Sequence, residues 1–336
     1  MSRLAFILLA LLALSVGCGD GHDHKDHDHK DHDHGHHDHK DHDHKDHGHD
    51  DHHGHDHSGP NAHLWLDPVL TRQFVEAVAG PLNEAIVRAK AAGRKLNVVI
   101  SIHPLASLVG ELTGDEANLF TMLPQGGSPH GFEITPDLMR KLGEADLLIM
   151  VGMSLDPWAE KAAKNSGKSG LVIHRFADLI EAYKKTKPQP LAEDAVLAAR
   201  TKATLDKLDA LHAKYQAATA TLKTKELVTF HNAFDLLAER YGMKVVAHLT
   251  EMDLPTGAEV TPRHLREARD AVIKHKLKTL YAEPAYPDTA LTAIAEATGV
   301  KVLRLDDLGG ADREGYRTYF EMMESNLRVL MEGQSR

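Results

Sequence analysis

Histidine is the residue type whose number and spacing in this 336-residue chain most directly suggest chemistry. There are 26 histidines, and eighteen of them lie between His22 and His63. From 19 to 58 a Lys-Asp-His-Asp-His unit recurs, with a Gly-His variant near its end. It supplies His22, His24, His27, His29, His32, His34, His36, His37, His39, His42, His44, His47, His49, His52, His53, His55 and His57. Neutral imidazole is the commonest protein ligand for zinc, and interspersed aspartates raise the local cation concentration. The run has no apolar residue to bury, so it cannot offset its ordering entropy and is expected to be disordered. It would hold several ions loosely and could not select among them, because nothing fixes its geometry. A solvated spacer is a second reading of the same composition.

Beyond the tract lie His63 and eight further histidines, and some sit in more specific surroundings. His130 lies in Gly126-Gly-Ser-Pro-His-Gly-Phe-Glu133, His231 in Phe230-His-Asn-Ala-Phe234, and His63 in Ala62-His-Leu-Trp-Leu-Asp-Pro68. Leu305-Asp-Asp-Leu-Gly309 adds two carboxylates. Three imidazoles with a carboxylate or a water suit a tetrahedral zinc ion. No pair of these residues has a CxxC or HExxH spacing, so spacing alone says little. His103 and His248 end candidate strands, His248 with the better case for a site role. His174, His212, His264 and His275 fall on helical or surface-like stretches. Trp65 and Trp158 read as packing residues, and Glu283 as a residue that orients a site rather than binding in it.

The elements that must position these residues follow from periodicity. A helix is expected over 68–92, started by Pro68 and ended by Gly93. Strands are expected over 98–102, 119–123, 147–151 and 171–173, with helices near 104–112, 136–144 and 157–164. After a polar linker at 184–190 comes one long helix, 191–222. Strands then follow near 227–230, 245–249, 279–282 and 300–305, with helices over 233–241, 262–275, 288–297 and 313–331. Such alternation argues for an α/β fold: two Rossmann-like lobes, each on a parallel sheet, bridged by a long rigid helix. Ligands of such sheets bind beyond the strands' carboxyl ends, here a metal site in the interlobe cleft. A hydrophobic content of 42% suffices for two cores, and a net charge of −10 argues against a nucleic-acid partner.

The N-terminus reads as a secretory signal over 1–17: Arg3, an apolar run over 4–14, then Ser15 and Gly17. The run is short for a bilayer span. It ends at Cys18, the only cysteine, which excludes an intramolecular disulfide. Ser-Val-Gly-Cys resembles a bacterial lipobox, with Ser15 where leucine is usual; lipidation at Cys18 would anchor the chain to a lipid membrane. An ordinary cleaved signal with a free thiol is the alternative.

From 63 to 333 the chain resembles the metal-binding solute-binding proteins of ABC importers, particularly their zinc-specific branch. The resemblance is carried by Ser101-Ile-His-Pro-Leu105, Gly127-Ser-Pro-His-Gly-Phe-Glu133, Ala145-Asp-Leu-Leu-Ile149, Leu155-Asp-Pro-Trp158, His63-Leu-Trp-Leu-Asp-Pro68, Phe230-His-Asn-Ala-Phe234, Ala282-Glu-Pro284 and Leu305-Asp-Asp-Leu-Gly309. It implies metal ligands His63, His130, His231 and Asp306, with Asp307 the rival of Asp306, and His248 and Glu283 further candidates. Histidine at 231, where the manganese branch has glutamate, implies Zn2+ ahead of Mn2+ or Cu2+. The implied protein is not an enzyme. It is an exported, membrane-anchored lipoprotein, periplasmic or at the cell surface, monomeric, that hands its ion to an ABC permease subunit. The expected divisions are 1–17, signal; 18–59, anchor and tract; 60–190, first lobe; 191–223, bridging helix; 224–336, second lobe. One departure matters: in the family the His-rich segment and the His-Leu-Trp helix follow the first lobe's last strand, whereas here both precede its first strand. A storage or resistance protein acting through its tract, and a zinc-dependent hydrolase, are the alternative functions.

Overall fold

The structure is a computed structural model that describes residues 61–188, 194–250 and 260–334. The signal over 1–17, Cys18 and the tract histidines from His22 to His57 lie outside the described residues.

The first sheet comprises β1 (Leu96–Ile100), β2 (Ala117–Thr121), β3 (Leu147–Met150) and β4 (Val172–Arg175), all parallel, in the order β2-β1-β3-β4. The second comprises β5 (Glu226–Thr229), β6 (Lys244–His248), β7 (Thr279–Ala282) and β8 (Lys301–Arg304), also parallel, in the order β6-β5-β7-β8. Central strands of parallel sheets are covered on both faces and so read as unbroken apolar runs. That is the composition of Leu147-Leu-Ile-Met150, buried throughout. In each sheet the chain reverses direction across its first strand, which places a switch point between β1 and β3 and another between β5 and β7.

Helix α1 (Pro68–Ala91) comes before the first sheet. Helices α2 (His103–Thr113), α3 (Pro136–Glu144), α4 (Pro157–Asn165) and α5 (Phe176–Lys185) alternate with or follow its strands. α1 packs on α5 and on the long helix α6 (Ala195–Ala220). Its Phe74 ring stacks on Phe176 of α5 at 4.4 Å. α6 buries Leu197, Thr201, Thr204, Leu208, Leu211, Tyr215 and Thr219, a stripe spaced three or four residues apart, against α1 and α2. Helices α7 (Asp235–Arg240), α8 (Pro262–Lys274), α9 (Thr289–Thr298) and α10 (Tyr319–Gln334) complete the second lobe. α10 also reaches α6 and α2, and Tyr215 Oη donates to the Met323 carbonyl at 2.7 Å. The lobes are therefore interlocked through helices and not only joined by a linker. One hydrophobic core runs through the first lobe and α6 into residues such as Phe234, Tyr281 and Tyr319. A second, around Val228, Leu249, Leu280 and Leu291, belongs to the second lobe alone.

The first two strands lie two residues earlier than expected and the long helix begins at Ala195 rather than 191, and two further elements differ more. α5 is an added helix, whose buried residues are only Phe176 and Ile180, too few for a periodic signal. The last helix begins at Tyr319 rather than 313, because the chain first turns through Gly315 at φ 77°.

Candidate metal centre

Each site residue sits where a strand or turn leaves the chain rigid. His130 lies in a 3-10 turn, Pro129–Gly131, in the loop after β2. Ser128 Oγ accepts from the His130 amide, and Trp158 Nε1 donates to the Pro129 carbonyl at 2.7 Å, so both ends of the turn are held. His231 follows β5 and is fully buried; its carbonyl accepts from Thr229 Oγ1 at 2.8 Å. Glu283 follows β7, and Asp306 and Asp307 follow β8. All four leave the carboxyl ends of the second sheet, where ligands of open parallel sheets bind.

His63 arrives differently, from the segment before α1, just ahead of the 3-10 turn Leu64–Leu66. That segment is pinned to the second lobe at three points. Asn61 Nδ2 donates to the Asn232 carbonyl at 2.7 Å, and Trp65 Nε1 donates to the Asp307 carbonyl at 2.6 Å. Arg240 donates through Nε and Nη2 to Asp67 Oδ2 at 2.8 and 2.7 Å. Asp67 Oδ1 meanwhile caps α1 through the Val69 amide at 2.8 Å. The rearranged segment thus delivers His63 to the cleft although it precedes β1 in the chain.

The three imidazoles converge. Ring centroids are 4.9 Å apart for His63 and His231, 5.7 Å for His63 and His130, and 5.6 Å for His130 and His231. Their ligand atoms lie within 4.8 Å of one another. His63 Nε2 and His231 Nε2 are 3.2 Å apart, close to the ~3.3 Å that two nitrogens ~2.05 Å from a tetrahedral zinc ion would show. The opposite nitrogen of His231, Nδ1, pairs with Glu283 Oε2. A carboxylate behind a metal-facing imidazole orients the ring and raises its basicity. Burial first, and then the neighbouring His231 and His130, hold the His63 pKa well below the usual imidazole value, so the ring is neutral and ready to donate a lone pair.

A second group shares His231: with Glu283 and Asp307, its ligand atoms also lie within 4.8 Å of one another, and all three residues are buried. Burial, and next the charge of Glu283, push Asp307 up to about 7, while His231 opposes the rise. Burial also raises Glu283 well above the usual carboxylate range. Asp306, the carboxylate preferred from the motif, is not in either group. Its Oδ1 accepts from the Leu308 and Gly309 amides at 3.0 and 2.8 Å, and its Oδ2 pairs with Arg313. Its backbone is clamped by the Asn326 side chain, which accepts from the Asp306 amide and donates to its carbonyl. Asp306 builds the turn after β8, and Asp307 is the carboxylate that turn presents to His231. His248 is also outside both groups, engaged with Thr229 Oγ1 at 3.0 Å and with Asp235 at 3.3 Å. His103 Nε2 meets the Arg317 carbonyl at 2.9 Å, away from the cluster.

Sequence reasoning did not single out Asn61, Arg240, Tyr286, Arg313 or Asn326. Tyr286 stacks on Phe230 at 4.6 Å and its hydroxyl meets Ser128 Oγ at 3.2 Å, linking the His130 loop to the second lobe. None of these residues falls in a ligand-like pattern, and Asn61, Arg240 and Tyr286 find partners more than 150 positions away, in Asn232, Asp67 and Ser128.

Two α/β lobes closing on a cluster of buried imidazoles and carboxylates define an ion-binding protein of the two-lobed, solute-capturing kind. The chain belongs to the family of the periplasmic zinc-uptake complex component A (ZnuA), whose model matches residues 98–195 and 181–333. His130, His231, Glu283, Asp306 and Asp307 fall within the matched residues, and His63 does not. The chain is 25% identical over 283 residues to the manganese ABC transporter substrate-binding lipoprotein PsaA of Streptococcus mitis, covering 72% of this chain and 90% of that one. It is 24% identical over 290 residues to the zinc-binding lipoprotein AdcA of Streptococcus pneumoniae serotype 4, of whose length it spans 56%, with 72% of this chain covered. Among solved structures it resembles the periplasmic zinc-binding protein TroA from Treponema pallidum, with a TM-score of 0.62 and 20% identity over 72% of this chain and all of that one. It also resembles the laminin-binding protein Lmb of Streptococcus agalactiae, with a TM-score of 0.59 and 25% identity, covering 71% of this chain and 99% of that one. This is a family of metal-binding substrate-binding proteins of ABC transporters and not of enzymes, so the hydrolase alternative falls. No described helix is long and apolar enough to cross a membrane.

Proposed function

We propose that this chain captures Zn2+ through His63, His130 and His231, with Asp307 as the adjoining carboxylate, and passes it to the permease of an ABC importer. In this reading the ion is cargo. The observation that carries it is the convergence of three imidazoles on one buried point, with two Nε2 atoms 3.2 Å apart. Three nitrogens and one oxygen suit zinc, whereas manganese favours a larger share of carboxylate and carbonyl oxygen. Both metals occur in the names of the relatives, so the preference for zinc rests on the donor set. Capture occurs outside the cytoplasm, with the chain tethered by lipid at Cys18, and the tract over 19–58 serves as an auxiliary, unselective zinc binder.

The deciding experiment is metal competition on a chain lacking residues 19–58. One tight site that prefers Zn2+ to Mn2+ supports the reading. Loss of tight binding would transfer the function to the tract and favour storage or resistance, while a preference for Mn2+ or Cu2+ would overturn the choice of metal.

A further inference from the structure

Asn61 meets three polar groups that leave its amide only one orientation. Its Oδ1 lies 2.8 Å from the His63 backbone nitrogen and 3.0 Å from His63 Nδ1, and its Nδ2 lies 2.7 Å from the Asn232 carbonyl oxygen. A backbone N–H can only donate and a backbone carbonyl can only accept, so the oxygen must face His63 and the nitrogen must face Asn232. An amide oxygen cannot donate. His63 Nδ1 must therefore carry the ring proton, and Nε2, which points at His231 Nε2, must carry the lone pair. We infer that Asn61 is the positioning residue of the centre: it fixes His63 as the Nδ1–H tautomer and ties it to the backbone beside His231.

The two edges of the amide do different work. The oxygen edge sets which nitrogen of His63 can take a metal ion. The nitrogen edge holds the segment before α1 against the residue that follows His231, so the two nitrogens keep their separation. His231 has a comparable support in Glu283, from its own lobe. His63 has no carboxylate among the partners described for Nδ1, and a neutral amide two residues away takes that place. Partners of this kind are commonly worth about 10- to 100-fold in metal affinity.

The inference rests on His63 being a ligand, and the test separates the two. In the full chain, the tightest equivalent of Zn2+ is measured by chelator competition. The metal-free ring is read by long-range proton–nitrogen NMR on histidine-labelled protein, with the His63 signals assigned from their loss in His63→Gln. Asn61→Ala should weaken the tight site by about 10- to 100-fold and let His63 populate the Nε2–H form. Asn61→Asp keeps the acceptor for both His63 N–H groups while losing the donor to Asn232. It should retain the Nδ1–H signature and recover most of the lost affinity. An unchanged tautomer in Asn61→Ala overturns the inference, whatever the affinity does. Equal losses in Asn61→Asp and Asn61→Ala overturn it as well, because the acceptor edge would then not matter. If instead His63→Gln keeps the tight site at parental affinity, the ligand assignment itself fails.

Discussion

The two lobes share one strand order and yet supply the centre in different ways. The second lobe gives His231, Glu283 and Asp307 directly from the ends of β5, β7 and β8, all buried and all on short exits from the sheet. The first lobe's side gives two imidazoles at 3-10 turns, His130 within Pro129–Gly131 in a loop after β2 and His63 just before Leu64–Leu66 ahead of α1. Strand ends are fixed by the sheet ladder, whereas turns need their own tethers. Ser128, Trp158, Asn61, Trp65 and Asp67 are those tethers. The second lobe thus carries a half-site fixed by its sheet, and the first side carries donors that are brought to it.

The largest effect should come from breaking the buried half. If ~10–16 kcal/mol of zinc binding is shared over four ligands, each is worth roughly 3–4 kcal/mol, or about 10²–10³-fold. His231→Ala should reach or exceed the upper end, because it removes the residue common to both groups. His130→Ala should fall at the lower end, since His130 is only half-buried and water can take its place. Chelator competition reads both, and equal losses would erase the distinction between the halves.

Next in size is the proton linkage at Asp307. With its pKa pushed up to about 7, Asp307 holds its proton below that pH in the metal-free protein, and an incoming ion must displace it. Asp307 should therefore contribute a fall in affinity of about tenfold per pH unit below about 7 and nothing above it. His63, held well below the usual imidazole value, stays neutral across that window and adds no slope near 7. Asp307→Asn should flatten the profile; a slope that survives in the variant would assign the proton elsewhere.

Smaller effects separate architecture from chemistry. Asp306→Asn should cost about 1–3 kcal/mol of stability through the weakened Arg313 pair and turn, while leaving the tight site within a few-fold of the parent. Chemical unfolding beside chelator competition checks this, and a selective loss of metal binding would restore Asp306 as the ligand. Arg240→Ala should cost about 1 kcal/mol, because the arginine end of the pair is partly exposed and the buried Asp67 keeps its bonds to the start of α1.

The motifs around His63, His130 and His231 pointed to a metal and to the family, and apolar runs alternating with amphipathic helices pointed to two parallel sheets. Those features are local: a four-residue apolar strand or a proline-started helix is written in adjacent residues. The choice between Asp306 and Asp307 was not local. The two are adjacent, chemically identical and similarly buried, and their side chains differ in that Asp306 meets Arg313, Leu308 and Gly309 while Asp307 faces His231 and Glu283. The role of Asn61 was equally out of reach, since a polar residue in a polar stretch gives no sign that it will meet Asn232, 171 positions away. By itself, then, the sequence determined the kind of donor, the kind of element and the family. Only the tertiary structure decided which carboxylate turns inward and how a histidine ahead of the first strand reaches the cleft, because both depend on side-chain direction and on contacts between parts of the chain far apart in sequence.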